Sequence, residues 1–286
     1  MKAGFATGKY TAAAIRARPR ERSVMVSQLL LGEPVRISES VGKFHKVVRA
    51  EDGLEGFVRI DQLLPVSQQV FTHQTEAPAF ALELFASMMS DRFGMPVTFG
   101  ARLPAYDGIQ ARHGEERFVY SGQAVLSADL RPDAELMIRL ARKWLHVPEL
   151  SGGRTPTGIA GSALVQLLTR MVGVRLPYSI EDISRQGRPV DFMVQCQEGD
   201  LAFFGDDRGR ITHLGILLTG GTVLHVSERV RIDGIDHFGI FNHTYRRYTH
   251  RLRVVKRFFP DRSDHGLSLE KRQSEVVRDA KQMFIF

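Results

Sequence analysis

The sequence predicts an α+β protein in which two small β-barrels precede a larger domain of helices followed by strands. Three observations support this prediction. Residues 1–66 alternate short apolar runs with turn residues, residues 133–173 contain two stretches of helical periodicity, and residues 200–232 contain apolar runs separated by Gly or Asp. A length of 286 residues allows about two domains, or three small ones.

The first barrel is predicted over residues 1–66. In the segment KFHKVVRA, Phe44, Lys46 and Val48 alternate with the residues between them, which is the period of a β-strand. Turns that contain Gly recur at intervals of about 8 to 12 residues, which is typical of short strands in a barrel. Residues 56–58 are predicted to be the last strand of this barrel, before a short turn.

A second small β-barrel is predicted over residues 67–130. A helix is expected first, over residues 74–90, because four apolar residues recur there at spacings of three and four: Ala77, Phe80, Leu84 and Met88. Short apolar runs return in the segments MPVTFGARLPAYDG and RFVYSGQAVL. We expect strands in these segments, the last of them ending near Leu126.

The third domain is predicted over residues 131–258. Residues 133–145 have the periodicity of a helix, with acidic residues in the first turn, basic residues in the last, and Pro148 beyond the end. A second helix is predicted between Ser162 as its N-cap and Gly173 as its stop. The segments GDLAFF, THLGILL, TVLHVS and RVRI are predicted to be antiparallel strands.

Residues 259–286 are predicted to form a C-terminal extension, either a helix docked through its apolar end or a partly disordered tail. No stretch approaches the ~20 apolar residues of a membrane-spanning helix, and the N-terminus lacks the apolar core of a signal peptide. The sequence as given predicts a cytoplasmic protein if it is complete, and a periplasmic or extracellular one if a signal peptide has been removed. It makes no prediction about the oligomeric state.

Charge and cysteine content exclude little. Lys and Arg number 39 against 32 Asp and Glu, which gives a formal net charge of +7. Such a charge suits anionic partners, whether nucleic acid, cell-wall polymer or small acidic peptides. The one cysteine, Cys196, excludes an intrachain disulfide and a cysteine-rich zinc cluster, although it leaves a nucleophilic role possible.

Several segments between residues 133 and 232 resemble, in their order, the landmarks of one family. These segments are GGRTPTGI, SALVQLL, Leu176-Pro177, EGDL, Phe203-Phe204, ITHLGI and Leu224-His225. Together they resemble the NlpC/P60 family of cell-wall peptidases. The resemblance implies a papain-like α+β fold and, in active members, cleavage between γ-D-glutamate and the diamino acid of murein peptides.

The N-terminal segments ATGKYTAAAIRARPRERSVMVSQLLLGEPVRISES and GFVRIDQLL resemble a bacterial SH3 (SH3b) domain. Two SH3b-like modules before an NlpC/P60 domain are similar to a known subgroup of these hydrolases, and the resemblance covers roughly residues 8–255. In that subgroup the first SH3b domain helps to form the pocket for the free end of the peptide. The resemblance therefore implies a ligand cleft between the first barrel and the third domain.

The chain departs from the family at the nucleophile. Where the family has Asp-Cys-Ser-Gly at the start of a helix, residues 160–163 are Ala-Gly-Ser-Ala, so the nucleophile position is Gly161. The Tyr and Trp of the preceding family segment correspond to Glu149 and Ser151. Four functional positions differ together, which implies a natural loss of catalysis rather than one engineered substitution.

His213 and His225 match the family's general base and the residue that orients it. They are twelve residues apart with Gly220 and Gly221 between them, which predicts neighbouring strands of one hairpin. Without a thiol these histidines have no nucleophile to activate. The resemblance implies that the site still binds a ligand, and the residues expected to line it are Glu149, Ser151, Arg154, Gly161, Ser162, His213 and His225.

We therefore expect a non-catalytic NlpC/P60 homologue that binds a murein peptide, or a related small anionic peptide, and uses no cofactor. Two alternatives stay open. One is a surviving hydrolase, with Ser162 or a water molecule as nucleophile and His213 as base. The other is a scaffold that binds a protein or a nucleic acid through the basic run RRYTHRLRVVKRFF.

The remaining candidates have structural interpretations. His237, His243 and His250 are spaced six and seven residues apart, with Asp236 as the one nearby carboxylate, so we predict exposed histidines and no metal site. Alternation within HRLRVVKR fits a strand with one solvated basic face, which disfavours nucleic-acid binding. Cys196 is not at a predicted helix N-terminus, and we expect a small, half-buried structural residue.

Overall fold

The computed structural model of the chain describes residues 4–191 and 193–261. Contacts divide the chain into two compact units. Unit 1 contains the residues up to Arg131 together with Leu150–Ala163, and unit 2 contains Pro132–Glu149 together with the residues from Leu164. Most of the predicted C-terminal extension lies outside the described residues.

Unit 1 begins with seven strands: β1 (Gly4–Gly8), β2 (Ala12–Arg16), β3 (Met25–Leu30), β4 (Pro34–Val41), β5 (Phe44–Arg49), β6 (Glu55–Arg59) and β7 (Leu63–Val66). They form one antiparallel sheet in the order β3-β2-β6-β5-β4-β1-β7. A bridge between Gly8 and Leu31 brings β1 beside the end of β3, so the sheet curls around its interior. That interior is apolar and contains Ala6, Ala13, Ile15, Leu29, Val35, Val47, Val58 and Leu63.

The strands predicted in this region are confirmed, with one correction. Residues 56–58 lie in β6, which is not the last strand of the sheet. After a single 3-10 turn at Ile60–Gln62 the chain enters β7, which pairs with β1. The buried side chain of Leu63 anchors this final strand to the core.

The helix predicted over residues 74–90 is wrong. Helix α1 covers Gln68–Glu76 instead, and Ser67 caps it by accepting a hydrogen bond from the backbone N–H of Val70. Pro78 follows, and proline is disfavoured inside a helix because it lacks the N–H and clashes with the preceding turn. The next residues, Ala79–Ala81, are all buried in a strand, so burial in a sheet prevails over the helical spacing.

The rest of unit 1 contains two smaller antiparallel sheets. Their strands are β8 (Ala79–Ala81), β9 (Phe85–Met89), β10 (Gly94–Thr98), β11 (Arg102–Leu103), β12 (Gln110–His113), β13 (Glu116–Tyr120) and β14 (Ala124–Leu126). The sheets have the orders β10-β9-β13-β12 and β11-β8-β14, and both contribute to one core that includes Ala81, Met88 and Phe118. The predicted strands are confirmed here, whereas a second SH3-like barrel stays a prediction.

Leu150–Ala163 completes unit 1 with a short hairpin of β15 (Arg154–Thr155) and β16 (Gly158–Ile159). The Arg154 guanidinium donates two hydrogen bonds to the Glu33 carboxylate, over 2.7 and 3.0 Å. A bidentate pair of this kind fixes both position and orientation. It therefore ties the hairpin to the first sheet.

Unit 2 begins with α2 (Ala134–Arg142). Helix α3 (Gly161–Arg170) has its first three residues in unit 1 and the rest in unit 2, and α4 (Ile180–Ser184) follows along the chain. The sequence prediction for α2 is confirmed: Asp133 caps the helix by accepting a hydrogen bond from the Leu136 N–H over 2.9 Å. The N-cap role predicted for Ser162 is wrong, because α3 begins at Gly161 and Ser162 lies within its first turn.

The strands of unit 2 are β17 (Arg188–Val190), β18 (Leu201–Gly205), β19 (Ile211–Leu218), β20 (Thr222–Ser227), β21 (Arg229–Ile235), β22 (Gly239–Asn242) and β23 (Arg247–Arg257). Strands β18 to β22 pair in chain order, and β23 pairs with both β18 and β22, which closes a six-stranded antiparallel barrel. Its interior contains Ala202, Phe204, Leu217, Val223, Ile235, Ile240 and Val255. The strands predicted in unit 2 are confirmed.

The described part of the chain contains no helix with the length and apolar character that crossing a membrane requires.

Candidate functional site

Two histidines lie at one end of the barrel in unit 2. His213 is on β19 and His225 is on β20, and these paired strands form a hairpin. Its turn contains Gly220 and Gly221 with φ of 72° and 64°, the positive values that a tight two-residue turn requires. The prediction that the two histidines lie on neighbouring strands of one hairpin is confirmed.

Hydrogen bonds join the two histidines to Asp233 on β21, and we call His213, His225 and Asp233 the histidine relay. His225 Nε2 donates to Asp233 Oδ2 over 3.0 Å, because an ionised carboxylate can only accept. In the neutral form of His225, Nδ1 then has a lone pair, which accepts the Nε2–H of His213 over 2.9 Å. His213 keeps a lone pair on Nδ1, so the relay presents an oriented basic nitrogen.

Arg231 holds the carboxylate end of the relay. Its Nη2 donates to Asp233 Oδ1 over 2.9 Å, while Oδ2 of the same carboxylate accepts from His225. Burial alone would raise the pKa of the Asp233 carboxyl, but the hydrogen bonds from His225 and Arg231 hold it below its usual value. Asp233 is therefore ionised at neutral pH and fixes the tautomer of His225.

A third imidazole, His250 on β23, packs against the relay. Its ring stacks on that of His213 with 4.0 Å between centroids and 26° between planes. The prediction of an exposed His250 is wrong: pairing of β23 with both β18 and β22 closes the barrel and leaves this ring half-buried. His237 and His243 are exposed, as predicted.

The surroundings favour neutral rings. Burial lowers the pKa of His213 well below its usual value, and His250 and His225 lower it further. Burial likewise lowers the pKa of His250 to about 4, with a further contribution from His225. One nitrogen from each of His213, His225 and His250 lies within 4.8 Å of the other two, so within residues 4–191 and 193–261 these three rings form a group that could hold a metal ion.

The predicted nucleophile position is the first residue of α3. Gly161 has no side chain, and it is half-buried, as is Ser162 after it. Cys196 follows a 3-10 turn at Met193–Gln195 and is 1% exposed. Cys196 is thus buried rather than half-buried as predicted, and burial raises the pKa of its thiol to about 12.

The other predicted ligand residues have different environments. Glu149 and Ser151 are exposed, and Glu149 Oε2 accepts the backbone N–H of Glu228 over 2.8 Å. Arg154 is 1% exposed, and its charge is matched by Glu33 inside unit 1. Ligand contact by these three residues stays a prediction. Arg154 is buried and paired with Glu33, so its side chain contributes to the packing of unit 1.

Sequence reasoning missed Asp233, Arg231 and His250. In the segment RVRIDGI, Arg231, Asp233 and Ile235 alternate and share one face of β21, which was a usable signal. A carboxylate on the same face as a predicted catalytic histidine is a natural partner for that ring. His250 had no comparable local signal, because its position depends on closure of the barrel.

Three of the six basic residues in the run RRYTHRLRVVKRFF contact acidic or carbonyl oxygens. Arg251 lies 3.3 Å from Asp207, and Arg253 donates to the backbone carbonyl of Asp206. Arg257 is buried against Asp200, with a hydrogen bond of 2.8 Å. The predicted strand is confirmed, and these contacts reduce the charge that its basic face offers to a polyanion.

Two parts of the chain are similar to known protein families. Residues 149–251 match the NlpC/P60 family, and residues 15–63 match the bacterial dipeptidyl-peptidase SH3 domain. The chain is 26% identical over 220 residues to a γ-D-glutamyl-L-lysine dipeptidyl-peptidase of Bacillus subtilis (strain 168). That match covers 71% of this chain and 72% of the relative.

Solved structures share the fold over most of the chain. An NlpC/P60 family protein from Bacillus cereus ATCC 10987 superposes with a TM-score of 0.76 at 19% identity, covering 90% of this chain and 100% of the other. An NlpC/P60 endopeptidase from Photobacterium damselae subsp. piscicida gives a TM-score of 0.63 at 13% identity, covering 87% of this chain and 70% of the other. At these identities the similarity concerns the fold.

Proposed function

We propose that this chain, which matches the NlpC/P60 family over residues 149–251 and a bacterial SH3 domain over residues 15–63, binds a peptidoglycan peptide without the cysteine catalysis of that family. The proposal depends on one observation, at the start of α3. The family resemblance assigns the nucleophile to Gly161, which has no side chain. Catalysis by a cysteine thiolate therefore has no residue at the position where the family requires one.

Cys196 does not supply the missing thiolate. Its thiol is 1% exposed, and burial raises its pKa to about 12. At pH 7 a thiol with that pKa is ionised in roughly one molecule in 10⁵. A catalytic cysteine needs an accessible thiol with a low pKa, and Cys196 has neither property.

The histidine relay supports a binding role. His213 Nδ1 has a lone pair that can accept an N–H or O–H from a peptide, and the hydrogen bonds to His225 and Asp233 fix the orientation of the ring. The Bacillus subtilis relative acts, by its name, on γ-D-glutamyl-L-lysine. We propose the same peptide class as the ligand here.

Calorimetric titration with L-Ala-γ-D-Glu-L-Lys, followed by mass spectrometry of the recovered peptide, tests the proposal. We expect saturable heat at one peptide per chain, and intact peptide after prolonged incubation. No heat at millimolar peptide would refute binding. Cleaved peptide would refute the non-catalytic part of the proposal while leaving binding intact.

A surviving hydrolase, with Ser162 or water as nucleophile, is the second candidate. The intact relay favours it, because His213 keeps the arrangement of an oriented base. Peptide cleavage that disappears in His213→Ala would establish this candidate and overturn the first. Cleavage that is unaffected by His213→Ala would come from a contaminating enzyme, and the non-catalytic proposal would stand.

A further inference from the structure

We propose that His213, His225 and His250 form a site for Zn²⁺ or a similar divalent transition metal, with a fourth position open to water or to an anionic ligand. The proposal does not rest on peptide binding, since metal binding is measured without a peptide. His250 is the residue that makes the difference, because it adds a third imidazole to the pair that the family resemblance assigns to catalysis.

The distances fit a metal ion after small movements. One nitrogen from each ring lies within 4.8 Å of the other two, and His213 Nε2 and His225 Nδ1 are 2.9 Å apart. Two nitrogen ligands of a tetrahedral zinc ion are about 3.4 Å apart, given Zn–N distances of about 2.0–2.1 Å. The observed separations bracket that value, so changes of about 1 Å bring the three nitrogens into position.

The hydrogen bonds allow His225 and His250 to offer a lone pair to the metal. In neutral His225, Nε2–H donates to Asp233, so Nδ1 is unprotonated, and Arg231 holds the other carboxylate oxygen. In the tautomer of His250 whose Nδ1–H donates to Thr249 Oγ1, the lone pair for the metal is on Nε2. This is the carboxylate–histidine–metal arrangement that orients ligands in zinc sites.

His213 changes tautomer when the metal binds. Its Nε2–H now donates to His225 Nδ1, so the metal takes the place of that shared proton. The proton moves to His213 Nδ1, the ring stays neutral, and no net proton is released. Both nitrogens of the former hydrogen bond then donate lone pairs to the metal.

The barrel provides a rigid frame for the three ligands. His213, His225 and His250 come from β19, β20 and β23 of the closed barrel. The ring of Phe204 lies 5.7 Å from that of His213 and 6.2 Å from that of His250, which adds an apolar wall beside the rings. A set of nitrogen ligands favours Zn²⁺, Co²⁺, Ni²⁺ and Cu²⁺ over Mg²⁺ and Ca²⁺, which prefer oxygen.

The test uses the tag-free full chain after treatment with EDTA. Zn²⁺ is titrated by calorimetry, and Co²⁺ is titrated while the visible d–d bands of four-coordinate cobalt are recorded. We expect one ion per chain. Asp233→Asn weakens binding about 10- to 100-fold, because it removes the charge that fixes His225, and His250→Asn weakens it further by removing a ligand.

His243→Asn is the matched control, because His243 is an exposed histidine in the same unit. We expect its metal affinity to equal that of the wild type. Circular dichroism and thermal unfolding in EDTA establish that each variant folds, and Asp233→Asn decides the question if His250→Asn does not fold.

Three results would overturn the proposal: no saturable binding at 100-micromolar metal, wild-type affinity in both cluster variants, or loss of binding in His243→Asn. Peptide titrations in EDTA are separate experiments. Their failure would refute the proposed function without affecting the metal site, and failure of the metal titrations would leave the peptide proposal intact.

Discussion

Each unit of the molecule contains buried polar side chains. In unit 1 two opposite charges pair with each other, whereas in unit 2 a ring nitrogen keeps a lone pair that can accept a hydrogen bond from a ligand. In unit 1 the Arg154 guanidinium and the Glu33 carboxylate, both 1% exposed, match each other's charge through two hydrogen bonds. In unit 2 the histidine relay ends in neutral rings, and His213 retains a lone pair on Nδ1. Matched charges stabilise a fold only as a pair, whereas oriented neutral acceptors can still bind a ligand.

A similar contrast exists between the relay and the start of α3. The relay has the hydrogen bonds of an oriented base, whereas Gly161 offers no group for that base to activate. The proposed binding and a catalysis by cysteine thus depend on separate residues: the relay is present, whereas position 161 has no thiol.

Restoring the nucleophile tests this contrast and has the largest expected effect. Gly161 is not among the glycines with positive φ, so its backbone accepts a side chain. We expect Ala160→Asp/Gly161→Cys to cleave L-Ala-γ-D-Glu-L-Lys. Because His213 acts as general base, adding His213→Ala to this variant lowers the rate about 10²- to 10⁴-fold. Mass spectrometry of the products measures both rates.

The triple variant with His213→Ala is the control for that experiment. If Ala160→Asp/Gly161→Cys folds and still shows no cleavage, the relay is not a competent base, and the comparison between relay and nucleophile position fails.

Removing Arg154 tests the charge pair of unit 1. Arg154→Ala removes the two hydrogen bonds that the buried Glu33 carboxylate accepts from the guanidinium, and we expect a loss of about 3–5 kcal/mol in the free energy of unfolding. Urea denaturation measures the loss. Arg92→Ala is the control, because Arg92 pairs with Glu116 at the surface of the same unit and its loss costs about 1 kcal/mol or less. Equal losses of unfolding free energy in the two variants would show that the buried pair stabilises unit 1 no more than a surface pair does.

The stability of the metal-free protein in acid tests whether burial keeps the His250 ring neutral. The pKa of His250 is about 4 in the folded state and about 6.5 when unfolded. Between these values the unfolded chain binds more protons, so stability is full above pH 6.5 and falls as the pH decreases toward 4. The groups that face His250 are His213, His225 and Asp233.

Thermal unfolding in EDTA at several pH values measures this effect. We expect the melting temperature of His250→Asn to decline less between pH 6.5 and pH 4 than that of the wild type. His243→Asn should follow the wild type, because His243 is exposed. Parallel curves for all three proteins would show that the imidazole stack is not protected from protonation.

The smallest expected effect concerns the basic face of β23. Arg251 and Arg253 already contact Asp207 and a backbone carbonyl, so Arg251→Gln/Arg253→Gln should shift elution from heparin only slightly. Salt-gradient chromatography measures the shift. Complete loss of retention in this variant would support the scaffold alternative.

Local patterns predicted much of the fold. The alternation around Phe44, the capped helix after Asp133 and the hairpin at Gly220 and Gly221 are confirmed, because each depends on neighbours in the chain. The helix predicted over residues 74–90 was wrong because a proline and burial in a sheet outweigh spacing.

The residues of the candidate site also fall into those that local patterns indicate and those that only the tertiary structure brings together. The hairpin brings His213 near His225, and strand alternation indicates Asp233, so all three members of the histidine relay have a local signal. His250 does not, because it reaches the cluster through the pairing of β23 with β18 and β22.

The sequence alone determined that the chain has one cysteine, that residue 161 is a glycine, and that two histidines lie on either side of a Gly-Gly turn. These are statements about residue identity and short-range geometry. Tertiary structure alone decided that Glu33 matches the charge of Arg154 and that His250 stacks on His213. The physical reason is that both contacts join elements far apart in the chain, and their position depends on how sheets close rather than on any local period.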